Sequence, residues 1–260
     1  MNLKKPEHYE AIISEKNQLT STIYHVRFSL PLSQTLLFTP GQYATVVIDS
    51  KIRRQYSFCS DPYHTKEFEM VIDVAPMGPG SKFFLEKAVG DTVAFLGPLG
   101  TFRLADTPMK KVLIATGTGI APFRSMLLNE VLRSSFLVPS KGYDELSFTT
   151  KELTKNKELT TRNFSLYWGL RHEEDMYWDK ELKDLVGQLV GFQYFMSLSK
   201  PSEKWTGLVG HVTDHVLKQE HNWEMTEFYL CGNRSMIDEM MQKLSAHNVK
   251  KEQIKTDLFY

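Results

Sequence analysis

The chain has 260 residues, 42% hydrophobic and 24% charged, with 31 basic and 31 acidic side chains. A net charge of zero, evenly spread (11 of each sign in residues 1–107), speaks against nucleic acid, and apolar runs such as Tyr43–Asp49 and Val112–Ala115 are too short to span a membrane. Two cysteines, Cys59 and Cys231, are too few for an iron–sulfur cluster or an all-cysteine zinc site, and with a polar N-terminus they point to a reduced, cytoplasmic protein.

The first part of the chain reads as β-structure. Short runs rich in Val, Ile, Phe and Tyr occupy Ala11–Glu15, Thr22–Leu30, Tyr43–Asp49, Gln55–Ser60, Phe68–Ala75 and Thr92–Gly97. Turn signals such as Pro40-Gly41, Asp61-Pro62 and Gly90-Asp91 separate them, and this spacing predicts a small antiparallel β-barrel. Ser81–Lys87 reads as a short helix between the last two strands.

The rhythm changes near Thr107-Pro108. Strand-like Lys111–Ala115, Phe164–Gly169, Phe192–Leu198, Glu227–Cys231 and Ile254–Phe259 alternate with helical Pro122–Arg133, Asp179–Val186, Thr213–Gln219 and Ser235–His247. Alternation of this kind predicts a doubly wound α/β domain with a parallel sheet. The expected organisation is therefore a barrel over 1–107 and an α/β domain over 108–260. Residues 132–162, with the stretch KELTKNKELTTR, fit neither rhythm and read as an insertion.

Val112–Phe123 reads VLIATGTGIAPF: an apolar strand, then Gly117-Thr118-Gly119, then a helix. Glycines let backbone N–H groups approach a pyrophosphate, and a helix start favours an anion. Pro122 stands where the third glycine of G-x-G-x-x-G would be, and no Gly-Lys-Ser/Thr of a P-loop follows. A plain strand-to-helix turn is the competing reading. Earlier, Arg54-Gln55-Tyr56-Ser57 lies on a barrel strand, where alternation sends Arg54 and Tyr56 to one face and Gln55 and Ser57 to the other.

The order of motifs goes further than any one of them. Arg-x-Tyr-Ser is followed by Gly78-Pro79-Gly80-Ser81, then Gly97-Pro98-Leu99-Gly100-Thr101-Phe102, then Gly117-Thr118-Gly119-Ile120-Ala121-Pro122-Phe123, and late by Cys231-Gly232-Asn233. This succession resembles the ferredoxin–NADP reductase superfamily of flavoproteins, from about Tyr9 to Tyr260.

The resemblance implies roles by position. Arg54 would pair with the pyrophosphate of FAD, Tyr56 would pack on the isoalloxazine ring, and Ser57 would hydrogen-bond its N5. Gln55 lies on the same strand. The backbone of Ile72, Asp73 and Val74 would contact the flavin, and Gly80 and Ser81 would meet the pyrophosphate. Thr116, Gly117, Thr118, Gly119 and Pro122 would form the pyridine-nucleotide loop. Cys231, with Gly232 and Met236 after it, would sit beside the nicotinamide. The chain ends Asp257-Leu258-Phe259-Tyr260, so Tyr260 is expected to stack on the flavin with Asp257 near the reacting carbon. Ser199-Lys200 and Arg171 would border a 2′-phosphate, which leans the nucleotide toward NADPH rather than NADH.

The implied activity is hydride transfer between NAD(P)H and FAD, then single-electron transfer to a separate carrier such as ferredoxin or flavodoxin. The alternative is a flavin-binding delivery or regulatory subunit of a larger complex. No paired-carboxylate or Ser-His-Asp constellation is needed for this chemistry. His211, His215 and His221 are not expected to hold a metal, because no Glu follows His211 as in H-E-x-x-H. Met225, Met236, Met240 and Met241 are expected to fill the core.

Overall fold

The computed structural model describes residues 6–137, 163–219 and 222–258. Six strands come first: β1 (Glu7–Gln18), β2 (Ile23–Ser29), β3 (Tyr43–Val47), β4 (Arg53–Ser57), β5 (Glu67–Asp73) and β6 (Thr92–Leu99). Helix α1 (Pro79–Glu86) lies between the last two. The strands form one antiparallel sheet in the order β4-β3-β6-β1-β2-β5. The sheet curls until its ends meet, where a bridge joins Phe58 to Met70. Alternation explains which side turns inward: in β1, Tyr9, Ala11 and Ile13 are buried, while His8, Glu10 and Ile12 are exposed. Inside the curl, Phe28 stacks on Phe68 with centroids 4.9 Å apart, and each buried Phe contributes about 1.5–3 kcal/mol. β1 is longer than its apolar centre suggests, because its polar ends still pair with β2 and β6.

The second half follows with β7 (Lys110–Thr116), α2 (Ile120–Leu137), β8 (Phe164–Leu170), α3 (Asp179–Gln188), β9 (Phe192–Leu198), β10 (Leu208–Val209), α4 (Val212–Lys218), β11 (Thr226–Gly232), α5 (Arg234–Ala246) and β12 (Ile254–Leu258). All pairings are parallel, in the order β10-β9-β8-β7-β11-β12. One face, with Leu113, Leu166 and Trp168, packs on α2 and α3; the other, with Val112, Ile114 and Phe228, packs on α4 and α5. Strand order reverses between β7 and β11, so a crevice opens beyond their carboxyl ends.

Some expectations change. The short strand β10 carries no sequence signal of its own, being two residues that pair with Ser197 and Leu198. Residues 132–137 continue α2, so they are helix rather than inserted loop; the remainder of 132–162 lies outside the described residues. Met225 is exposed, not core, whereas Met236 and Met240 are buried. No helix among the described residues is long and apolar enough to cross a membrane.

The two halves share a core. Ile23 and Val71 of the first sheet, with Cys59 and Phe102 just beyond its strands β4 and β6, pack with residues of α2 and α3. The connecting segment is fixed by the Ala105 N–H, which donates to the Tyr229 hydroxyl at 2.8 Å. Beneath it, fully buried Lys111 pairs with Glu227 at 2.6 Å.

Candidate functional site

On β4, Arg54 and Tyr56 do share a face. Both lie against Gly80: a Cβ there would overlap the Tyr56 hydroxyl and come 3.1 Å from Arg54 Cγ. Tyr56 is half-buried, edge-on to Phe84 at 5.2 Å, and burial pushes its phenol up to about 12. The Arg54 guanidinium is exposed and donates to the Arg53 carbonyl at 2.8 Å. α1 starts here with Pro79 in its first turn, so the N–H groups of buried Gly80 and Ser81 are among those a helix leaves without internal partners. The Ser81 hydroxyl lies 3.5 Å from the Asp73 carbonyl, at the end of edge strand β5. Ile72 and Val74 are buried on either side.

Ser57 points the other way. It is 4% exposed, and its hydroxyl has no hydrogen-bond partner among the described residues. Leaving such a group unsatisfied costs roughly 1–3 kcal/mol, so the position fits a polar atom supplied from outside the chain. Gln55 is exposed and donates to the Tyr43 hydroxyl at 3.3 Å. An exposed guanidinium, a helix start, a half-buried phenol and a partnerless buried hydroxyl together suit a flavin dinucleotide, whose pyrophosphate and ring nitrogen would meet them.

In the α/β half, the turn Gly117–Gly119 links β7 to α2, with Gly117 left-handed at φ 53°. Thr118 is half-buried in this turn, and Pro122 is buried in the first turn of α2. Two glycines interlock this loop with the end of β11. A Cβ on Gly119 would strike the Cys231 carbonyl, and one on Gly232 would strike the Thr116 hydroxyl. Thr116 Oγ1 also accepts the Asn233 N–H at 3.0 Å, and the Asn233 side chain caps α5 by accepting the Met236 N–H at 2.8 Å. Thr116, Gly117, Asn233 and Met236 line one cleft of about 640 Å³.

Cys231 is fully buried beside Asp257, its partner on β12. Burial, reinforced by the Asp257 carboxylate, holds the Cys231 thiol well above its ordinary value, so it is a thiol and not a nucleophile. Burial likewise raises the Asp257 carboxyl to about 6. Tyr43 joins the two halves: it pairs with Ser57 across β3 and β4, and its phenol is raised by burial and by the Asp257 charge.

At the rim, the loops after β8 and β9 are zipped together. The Lys200 N–H donates to the Arg171 carbonyl at 2.9 Å, and His172 Nδ1 lies 2.8 Å from the Lys200 carbonyl. Arg171 and Ser199 line the cleft; Lys200 is exposed, and its side chain is not part of the lining. Tyr260 lies outside the described residues, as does His221. His215 Nε2 is 3.0 Å from the Val209 carbonyl, whereas His211, just before α4, lines the cleft 4.0 Å from Glu239.

Sequence reasoning missed Tyr43, Arg124, Trp168 and Tyr177. Arg124 binds the Cys59 carbonyl at 2.7 Å, Glu69 at 2.9 Å and Glu181 at 2.9 Å. His25, Cys59 and Glu69 lie close enough for a metal, but Arg124 already holds the Glu69 oxygen that faces His25. The only signal of this was an Arg directly after Ala-Pro-Phe, and its partners lie far off in the sequence.

Comparisons with known proteins assign a domain family to each half of the chain. Residues 10–104 match the oxidoreductase FAD-binding domain and residues 113–242 the oxidoreductase NAD-binding domain. The electron transfer component of anthranilate 1,2-dioxygenase from Acinetobacter baylyi is 30% identical over 84% of this chain and 57% of that protein. NADH-cytochrome b5 reductase 1 from Aspergillus oryzae is 26% identical over 92% of this chain and 78% of that protein. The chain spans about three fifths of the length of the oxygenase-component relatives it matches. The crystal structure of the Amycolatopsis cytochrome P450 reductase GcoB has the same fold, with TM-score 0.81 and 22% identity over 99% of this chain and 72% of that one. The chain belongs to the FAD- and NAD-binding oxidoreductases of the ferredoxin–NADP reductase superfamily.

Proposed function

We propose that this protein oxidises NAD(P)H through bound FAD and passes electrons one at a time to a separate protein carrier, ferredoxin or flavodoxin being the expected kinds. The observation that carries the reading is the junction of the two halves. The partnerless Ser57 hydroxyl lies on a strand pair with Tyr43, and Tyr43 feels the charge of Asp257, the neighbour of Cys231. The relative from Acinetobacter is named an electron transfer component, which supports a separate acceptor.

Bound FAD supplies the conversion between two-electron and one-electron chemistry. The chain's own residues do the rest. Arg54 and the first N–H groups of α1 hold the pyrophosphate, Tyr56 packs on the ring, and the backbone of residues 72–74 borders it. Ser57 orients the reacting edge of the ring. Thr116–Gly119 and Gly232 hold the nucleotide pyrophosphate, Met236 packs against it, and Cys231 shapes the nicotinamide pocket as an uncharged thiol. Asp257, its carboxyl raised by burial to about 6, takes and releases a proton at this junction, and Tyr260 is the residue expected to cover the ring. We place the boundary between the two domains at 107/108 and the protein in the cytoplasm.

For the nucleotide, two lines of support diverge. Arg171 at the cleft rim favours the 2′-phosphate of NADPH, while several relatives carry NADH in their names. A second reading, a delivery subunit without turnover of its own, draws on the dioxygenase components. The purified chain decides: it is expected to be yellow and to oxidise NAD(P)H with ferricyanide as acceptor. A yellow chain with no such turnover favours the subunit; a colourless chain that takes up no FAD ends both readings.

A further inference from the structure

The carbonyl of Gly117 is held by an unusual number of donors. It accepts the Ile120 N–H within the turn, the Trp168 indole N–H at 3.0 Å and the Tyr177 hydroxyl at 3.2 Å. Trp168 is fully buried at the end of β8, and Tyr177 is buried in the loop before α3. The two rings meet edge-on at 4.9 Å, so each fixes the other.

Within one trans peptide the carbonyl and the following N–H point in opposite directions. Turning the Gly117 carbonyl toward the aromatic pair and Ile120 therefore turns the Thr118 N–H back toward the start of the turn, beside Thr116 and Gly117, which line the cleft together with Tyr177. Gly117 is needed for its backbone: a Cβ there would meet nothing, but φ is 53°. The Ile120 N–H and the two aromatic donors together hold that peptide in one orientation.

The same segment is tied to the other half of the molecule. Trp178, next to Tyr177, lies under the Arg124 guanidinium at 4.6 Å and edge-on to His25 at 5.4 Å. Arg124 in turn holds the Cys59 carbonyl and Glu69, both on the FAD-domain side. A continuous set of contacts thus runs from the flavin-binding sheet to one peptide plane of the nucleotide loop.

We infer that Tyr177 is a positioning residue for the pyridine nucleotide. Its hydroxyl, with the Trp168 indole, orients the Gly117–Thr118 peptide so that an N–H faces the nucleotide pyrophosphate, and Trp178 sets that loop against the flavin domain. This rests on the nucleotide-binding reading above.

The test is titration of the oxidised holoprotein with ADP-ribose, which contains the pyrophosphate, and with adenosine, which does not. Tyr177→Phe keeps the ring and removes the hydroxyl. It should weaken ADP-ribose about five- to tenfold, leave adenosine unchanged, and raise the KM for NAD(P)H with little change in the KM for ferricyanide. Trp178→Phe, which keeps an aromatic ring under Arg124, should leave ADP-ribose affinity within about twofold while slowing flavin reduction, since it acts on registration and not on the carbonyl. Unchanged ADP-ribose affinity in Tyr177→Phe, with wild-type binding intact, overturns the inference alone. Equal weakening of ADP-ribose and adenosine also overturns it, because it marks general loosening. A wild type that binds no ADP-ribose removes the nucleotide-binding reading, and this inference with it.

Discussion

Arg124 Nη1 and Glu69 Oε2 lie 2.9 Å apart, one on α2 and the other on β5, with both side chains nearly buried. Burial opposes ionisation of Glu69, but His25 Nε2 at 3.2 Å and the Arg124 charge outweigh it and hold the carboxyl well below its usual range. Such a group stabilises the fold when ionised, and that contribution fades as pH falls below the ordinary glutamate value of 4.5. Glu69→Gln should therefore cost about 3 kcal/mol at pH 7, a fall in Tm on the order of 5–10 °C. The gap from wild type should narrow steadily below pH 4.5. Thermal melts at pH 7 and pH 3.5 check it, and a gap that does not change with pH assigns the effect to packing.

Arg54 and Ser57 are separable by their opposite faces. Arg54→Ala should weaken FAD binding about tenfold or more, because it removes a charge-assisted contact to the pyrophosphate. Ser57→Ala should retain FAD but slow flavin reduction by about tenfold or more. It should also make the apoprotein more stable by about 1–3 kcal/mol, since the hydroxyl it removes is buried there without a partner. FAD titration, stopped-flow reduction and apoprotein melts give the three readouts.

Asp257 predicts a pH signature. Its carboxyl, raised by burial from 3.8 to about 6, is neutral below that pH and charged above it. A raised carboxyl loses stability as pH rises through this window. Asp257→Asn should thus be more stable than wild type at pH 8 and equal to it near pH 3.5. The wild-type rate of NAD(P)H oxidation should bend near pH 6, and the variant's should not. A wild-type profile flat across pH 5–7 would remove Asp257 from proton handling.

The two rim cations should differ in effect. Arg171 lines the cleft, whereas only the backbone of Lys200 is tied to the rim. Arg171→Ala should lower the NADPH-to-NADH preference by about tenfold, and Lys200→Ala by much less. Steady-state kinetics with both nucleotides measure this. Equal losses would make Lys200 a phosphate contact of the same rank.

Much of the architecture was written locally. β-type alternation in β2 and β6, and short apolar runs at β7 and β8, follow directly from backbone period and burial. The common face of Arg54 and Tyr56 was legible for the same reason. The loop Gly117–Gly119 was legible as a tight strand-to-helix turn, because glycine serves both the left-handed backbone of Gly117 and the close approach of Gly119 to Cys231. What stayed hidden depends on distant partners. Nothing near Tyr43 in sequence points to Asp257, more than two hundred residues away. Trp168 and Tyr177 look like ordinary core aromatics until their polar atoms are seen on one carbonyl. The difference between Arg171 and Lys200 was hidden too, because a strand-end cation gives no sign of which way its side chain leaves the loop.

The reciprocal fit of Gly119 and Gly232 also determines where this protein can be re-engineered. Each glycine is pressed against backbone or a hydroxyl of the other loop, so the crevice floor has no slack to trade. Enlarging either residue would force the ends of β7 and β11 apart and misplace both loops together. Redesign for altered or synthetic nicotinamide analogues should therefore leave the floor untouched. The open rim at Arg171, Ser199 and His211 is where new shape and charge can be introduced without moving the scaffold.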